Sequence, residues 1–271
     1  MNNTAEYVKA PKVTKSPKNA NVPFSCLNVD FLNIRSLMNK ILFVNDYLKS
    51  NDTDLLFLTE TWLRPDISSS LFCPSGYNVL RNDRQSSKGG GVLLLYKSSL
   101  NLKEVTLNFS NSTTCSNFEF VCADVLLESN STARFMCFYI PPSYSGQIDT
   151  ISKCCDIITC AIPFASPIYI MGDFNLPAID WEIPVSKGGP SHDYFVDFCI
   201  ENSLTQCVQE STHNKGNMLD LVLCNHLAYN QLLQCLVNSP LTSKCDHNSV
   251  SLKVEVKQSI NDYKKIALSK F

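Results

Sequence analysis

An α+β fold with largely antiparallel sheets is what this sequence predicts, on three observations. Short apolar runs that read as strands outnumber stripes at helical period. Several of those runs follow one another with no helix between them, which excludes simple βαβ alternation. Neither an internal repeat nor a Pro/Gly/Ser-rich linker divides the 271 residues, so they read as one domain over 23–257. A chain of this length buries most of its apolar surface without staples.

Residues 1–22 carry Lys9, Lys12, Lys15 and Lys18 interleaved with prolines and read as a disordered basic leader. From Phe24 the run FSCLNVDFL is a strand. Leu37, Ile41, Val44 and Leu48 recur at helical spacing, which places a helix over 37–48. DLLFLTE (Asp54 to Glu60) is a short buried strand ending in a carboxylate. SSKGGG (Ser86 to Gly91) is a flexible turn feeding the strand Val92–Tyr96; it lacks the Gly-Lys-Ser/Thr order and following helix of a phosphate loop, so it reads as a hairpin turn. Further strands are expected at Phe118–Leu127, Arg134–Ile140, Ile168–Asp173, Met218–Cys224 and Ser249–Val256. Helices are expected at Ile148–Cys160 and Ser191–Asn202, with Ser191 as the cap beside His192. Residues 258–271 read as an exit segment.

Hydrophobic residues make up 44% and charged ones 18%, a globular composition, and the net charge of -2 advertises no global basic field. Thirteen cysteines, an odd count with no Cys-x-x-Cys pair and with Cys154 and Cys155 adjacent, read as reduced and mostly buried thiols rather than a zinc or disulfide framework. The N-terminus has no apolar signal core, so the protein is expected to be nuclear or cytoplasmic and not secreted. Asn108-Phe109-Ser110 and Asn130-Ser131-Thr132 then match the glycosylation pattern by chance. No apolar run approaches the roughly 18 residues of a membrane span.

The most informative stretch is Ile168–Asn175, an apolar strand that ends in a carboxylate and a carboxamide two residues apart. If the strand stays extended, Asp173 and Asn175 face one pocket. Alone, the pair reads equally as a turn. Asp220, between Leu219 and Leu221, needs a partner such as His247, because an unpaired charge in an apolar strand is costly. Glu60, Tyr139 and Asp246-His247 are ordinary residues in isolation. His192, His213 and His226 have no carboxylate in register and read as helix-end or loop residues. Burial is the reading for Trp62 and Trp181.

Taken in order, Asn33 in LNIRSLMNK, Glu60 in LFLTETWL, Tyr139 in FYIPPS, Asp173 and Asn175 in MGDFN, Asp220 in NMLDLVLCN and Asp246-His247 in KCDHNSV resemble the endonuclease/exonuclease/phosphatase superfamily. The wording is most similar to the apurinic-like endonuclease domain of LINE-type (non-LTR) retrotransposons, from about Phe24 to Val256. The resemblance implies a four-layer α/β/β/α sandwich, two mostly antiparallel sheets packed face to face with helices outside. It implies a DNA-nicking, Mg²⁺- or Mn²⁺-dependent phosphodiester hydrolase with Asn33 and Glu60 as metal ligands. His247 would be base or electrostatic partner, oriented by Asp220. Asp173 would position or deprotonate the water, Asn175 and Tyr139 would donate to phosphate oxygens, and Asp246 would lie near the metal or leaving group. A monomer is expected, and an intact element would carry a polymerase in cis. Three positions depart from the pattern: Ile140 replaces a basic residue, Cys245 replaces a serine beside the His247 segment, and Arg35 stands where cellular repair enzymes carry an acid. Alternatives on the same fold are a phosphoesterase for another ester and a decayed nucleic-acid-binding relic.

Overall fold

The computed structural model describes residues 25–85, 88–107, 117–127, 131–162 and 166–256. The expected leader, the exit segment, Asn108 and Asn130 lie outside the described residues.

In chain order the elements begin with β1 (Ser25–Asn33), α1 (Ile41–Ser50), β2 (Leu55–Thr59), β3 (Tyr77–Asn82) and β4 (Val92–Lys97). There follow β5 (Leu102–Glu104), β6 (Glu119–Leu126), β7 (Thr132–Tyr139), α2 (Pro142–Ser145), α3 (Ile148–Ala161) and β8 (Ile168–Asp173). The ribbon β9 (Ile179–Asp180) and β10 (Val185–Ser186) leads to α4 (Pro190–Glu201) and β11 (Thr205–Gln206). The described chain ends with β12 (Asp220–Cys224), α5 (His226–Gln231), β13 (Leu232–Asn238) and β14 (Ser249–Val256).

One six-stranded sheet runs β13-β14-β1-β2-β4-β3 and the other β11-β12-β8-β7-β6-β5. Each has one parallel pair near its middle, β1 with β2 and β7 with β8, and is otherwise antiparallel. Those two parallel pairs are the ones joined through helices, as a crossover connection requires.

The apolar runs are continuous because both faces of the central strands are covered. In β2, Leu55 and Phe57 join the core between the sheets, while Leu56 and Leu58 join the cluster that holds Val44 and Leu48 of α1. In β8, Tyr169 and Met171 face the inter-sheet core, and Ile168 and Ile170 pack with Ile151, Ile158 and Phe195 of α3 and α4. Each such side chain contributes about 1.5–3 kcal/mol on full burial. The result is the four-layer α/β/β/α sandwich.

Local differences from the sequence reading have physical causes. The first helix starts at Ile41 rather than Leu37, because Arg35 and Ser36 have φ of 43° and 78° and form a turn. Leu37 is buried from that turn, its N–H bonded to Thr61 O. The cap of α4 is Gly189, and Ser191 lies inside the helix with its hydroxyl 3.1 Å from His192 Nδ1. The last inner strand starts at Asp220, not Met218, because Thr212 Oγ1 takes the N–H groups of Leu219 and Asp220. Strand β3 escaped the sequence because its residues are mostly half-buried and show no clean alternation, and edge strand β13 carries an irregularity between Leu232 and Gln234. No disulfide joins cysteines among the described residues, and Cys154 and Cys155 are both buried on α3.

Candidate active site

The inter-sheet core ends in a polar row. Tyr139, Asp173 and Asp220 occupy adjacent register positions on β7, β8 and β12. By the two-residue period of a strand they continue the inward series Phe135–Cys137, Tyr169–Met171 and Val222–Cys224. Asn33 continues Val29 and Phe31 in the same way on the facing sheet. The two sheets therefore meet at this end through side chains: Asn33 Nδ2 donates to Asp173 Oδ2 and to Glu60 Oε1, both at 2.9 Å.

His247 enters from the loop before β14. Its Nδ1 lies 2.7 Å from Asp220 Oδ2, and its Nε2 lies 3.9 Å from Asp173 Oδ2. All three groups are buried. Burial alone would lower the His247 pKa; the carboxylates of Asp220 and then Asp173 outweigh it and lift the imidazole to about 9. Asp173 is pushed well above the usual carboxylate range by burial first and by Asp220 second. Both groups hold a proton more tightly folded than unfolded. The His247 contribution to stability is therefore fully present below the unfolded histidine value of about 6.5 and is lost as pH rises through about 9. Urea unfolding from pH 6.5 to pH 9 is expected to show a decline on the order of 3 kcal/mol that His247→Gln largely removes. An unchanged decline in that variant assigns the effect to other groups.

Glu60 sits just past β2 with φ 52°, so it turns out of strand geometry toward Asn33. Its Oε2 accepts from Trp62 Nε1 at 3.3 Å, and its carbonyl accepts from Ser36 N at 2.7 Å. Burial, then the Glu60 and Asp173 carboxylates, push the Tyr139 pKa far up, so its hydroxyl stays a donor. Arg35, Ser36, Glu60, Trp62 and Asn175 are all non-glycine residues at positive φ in these loops, the strain that packing must hold at a functional site. The glycine turn has a supporting role: Gly90 O and Gly91 O receive Trp62 N and Thr61 N, and Gly91 N bonds Glu119 Oε2. Glu119 in turn holds Arg84 through bonds of 2.6 and 2.9 Å, with the guanidinium 5.6 Å from the Tyr139 ring centroid.

Asn175 is placed differently from the sequence reading, and Asp246 stands at the rim of the site. The extended geometry does not persist past Asp173. Asn175 is at φ 52° and one of its amide hydrogens goes to Ile140 O at 2.9 Å, leaving the other free. Asp246 faces outward, 3.2 Å from Arg35 Nη1, with its side chain 33% exposed. Cys245 is buried, its thiol 3.5 Å from Thr242 Oγ1. Trp181 is buried edge-on against Phe195, whereas Trp62 is half-buried beside Glu60.

Sequence reasoning missed His213. A backbone bridge pairs it with His247, the rings meet edge-on at 4.9 Å, and His213 Nε2 lies 4.0 Å from Asp246 Oδ2. Burial and then the neighbouring His247 lower its pKa. Only the pairing of two distant loops creates this contact, and no periodicity encodes it.

Glu60 and Asp173 present carboxylate oxygens at one spot, bridged by the Asn33 amide, and the buried Asp173 Oδ1 has no hydrogen-bond partner. That chemistry fits a hard divalent cation such as Mg²⁺ or Mn²⁺. Asp173, Asp220 and His247 also offer ligand atoms within 4.8 Å of one another. The 2.7 Å His247–Asp220 contact, however, makes that set an imidazole held by a carboxylate rather than an open nitrogen ligand.

Two facing sheets thus close on a buried imidazole, its carboxylate and a group of carboxylate and amide side chains. Residues 26–240 match the sequence profile of the Endonuclease/Exonuclease/phosphatase family, and the chain belongs to it. Members of that family are hydrolytic nucleases and phosphatases. Among solved structures, an AP endonuclease from Archaeoglobus fulgidus is similar with a TM-score of 0.68 at 14% identity, covering 83% of this chain and 98% of that one. The endonuclease domain of TRAS1, a telomere-specific non-LTR retrotransposon, gives 0.62 at 12% identity over 86% of this chain and 100% of that one. A 3′ phosphatase from Neisseria bound to a product DNA hairpin gives 0.64 at 14% identity over 84% and 99%. No curated protein matches the sequence. Among the described residues no helix is long and apolar enough to cross a membrane.

Proposed function

We propose that this chain is a divalent-metal-dependent endonuclease that nicks DNA, of the kind carried by non-LTR retrotransposons. The observation that carries the reading is the convergence of Asn33, Glu60, Tyr139, Asp173, Asp220 and His247 from both sheets at one end of the sandwich. The ordered motifs and the fold shared with TRAS1 support the retrotransposon assignment.

Glu60 and Asn33, with Asp173 beside them, would hold the cation, which when bound neutralises charge on the phosphate. Asn33 then presents its oxygen instead of the amide nitrogen it now gives to Glu60 and Asp173. Asp173 would accept a proton from the attacking water at Oδ1, the atom that has no hydrogen-bond partner. His247 is protonated at neutral pH, with Asp220 holding its Nδ1–H, so Nε2–H is directed to the phosphate as a donor. Tyr139 and the free amide hydrogen of Asn175 add neutral donors for the developing oxyanion. Asp246 acts from the rim through Arg35 and His213.

With Mg²⁺, supercoiled plasmid is expected to become open circle, and Asp173→Asn is expected to abolish the conversion. Robust nicking in EDTA overturns the metal dependence. Phosphate release from a soluble monoester without nicking gives the same site a different ester.

A further inference from the structure

We propose that Arg35 anchors a backbone phosphate of duplex DNA next to the one being cleaved, and that Asp246 holds the guanidinium in place until DNA replaces it. The inference rests on the DNA-nicking reading above.

The site is rich in carboxylates. Glu60, Asp173 and Asp220 stand at the buried end of the site with Asp246 at its rim, and an anion approaching them needs fixed positive charge at the mouth. Among the described residues, Lys40, Arg84 and Arg35 are lysine or arginine side chains bonded into this end of the sandwich. Lys40 is buried and donates to the carbonyls of Ile34, Arg35 and Ser36 at 2.8, 2.7 and 3.3 Å. Arg84 commits two nitrogens to Glu119 and lies against Tyr139. Arg35 is different: its side chain is 54% exposed and makes one ion pair among the described residues, Nη1 to Asp246 Oδ2 at 3.2 Å. A guanidinium carries five N–H donors in a planar fork that suits a phosphate, so most of its capacity faces solvent.

The backbone explains how an exposed arginine is aimed. Arg35 and Ser36 sit at φ 43° and 78°, a conformation that L residues avoid. Lys40 grips their carbonyls, Arg35 N bonds Asn33 Oδ1 at 3.2 Å, and Ser36 N bonds Glu60 O at 2.7 Å. The turn is thus fixed to the backbone of Glu60, one of the residues that would hold the metal. A guanidinium projecting from it lies at a set distance from the reacting phosphate. The single-point pair with Asp246 is exposed and weak. A doubly bonded phosphate oxygen pair displaces it readily.

The test uses the full chain carrying Asp173→Asn, so that DNA is bound without being cut, and fluorescence anisotropy of a labelled duplex between about 50 and about 200 mM salt. Adding Arg35→Ala is expected to weaken binding about tenfold and to flatten the plot of log affinity against log salt by about 0.9, one phosphate contact. Arg35→Lys keeps the slope because the charge is kept. Asp246→Asn, which frees the guanidinium, tightens binding. This opposite sign is one that loss of a merely structural ion pair does not give. The inference is overturned if the parent binds DNA and Arg35→Ala leaves affinity and slope unchanged, or if Asp246→Asn weakens binding as Arg35→Ala does. No salt-sensitive binding by the parent itself defeats the DNA-nicking reading, and the anchor with it.

Discussion

Asp220→Asn is expected to lower kcat for plasmid nicking by about 10³–10⁴-fold, with KM changed by no more than a few fold, by analogy with a carboxylate that supports a reacting histidine. The substitution keeps size and an acceptor oxygen, so the 2.7 Å contact to His247 Nδ1 can survive. What it removes is the charge. Asp220 is the largest favourable influence raising the His247 pKa to about 9, against the opposing effect of burial. Without it the imidazole loses its proton at lower pH and Nε2 no longer donates at neutral pH. The rate profile should therefore change shape as well as height: its alkaline limb moves acidward, toward or below the ordinary histidine value of about 6.5. His247→Ala is expected to cost as much, and the double variant no more than either single one, because the two residues act as a unit. A loss under tenfold for Asp220→Asn, or an unmoved alkaline limb, removes Asp220 from the mechanism.

The site was read in the sequence through its ordered motifs, and strand parity is the physical reason those motifs meet. Asn33, Tyr139, Asp173 and Asp220 each sit two residues from an inward apolar neighbour, so knowing the strands already places them on the faces that meet. The central strands themselves were readable because burial on both faces makes them uninterrupted apolar runs, as at Leu55–Leu58 and Ile168–Met171. Parity fails where the chain leaves the sheet. Glu60 and Asn175 turn at positive φ, which sequence does not announce for Glu, so their directions had to come from the structure. His213 reaches His247, and Arg84 reaches Tyr139, only through loop pairings far apart in sequence. The burial of Lys40 under three carbonyls follows from the turn at Arg35 and Ser36 and has no signal in the sequence pattern.

Gly172→Ala is expected to destabilise the fold by about 3–5 kcal/mol, the sum of backbone strain and forced overpacking. Gly172 directly precedes Asp173 and is paired with Phe138 between the two parallel strands of the inner sheet. Its φ is 152°, and a Cβ there would stand 2.2 Å from Phe138 O and 2.8 Å from Phe138 N. Those neighbours are backbone, so no rotamer relieves the clash; β8 must move away from β7. Such a move breaks ladder bonds at the position next to Tyr139 and Asp173, and so the aim of the reacting carboxylate goes with the stability. Against a total of about 5–15 kcal/mol, a loss of this size leaves much of the protein near its unfolding threshold. Gly146→Ala is the control: nothing lies within 4 Å of its added Cβ, and its φ of -78° suits any residue. It is expected to change stability by less than about 1 kcal/mol and to leave nicking intact. Urea titrations of both variants decide the matter. A Gly172→Ala midpoint close to that of Gly146→Ala, at equal slope, shows that the two strands accept a methyl group there and that the glycine of GDFN is not required by packing.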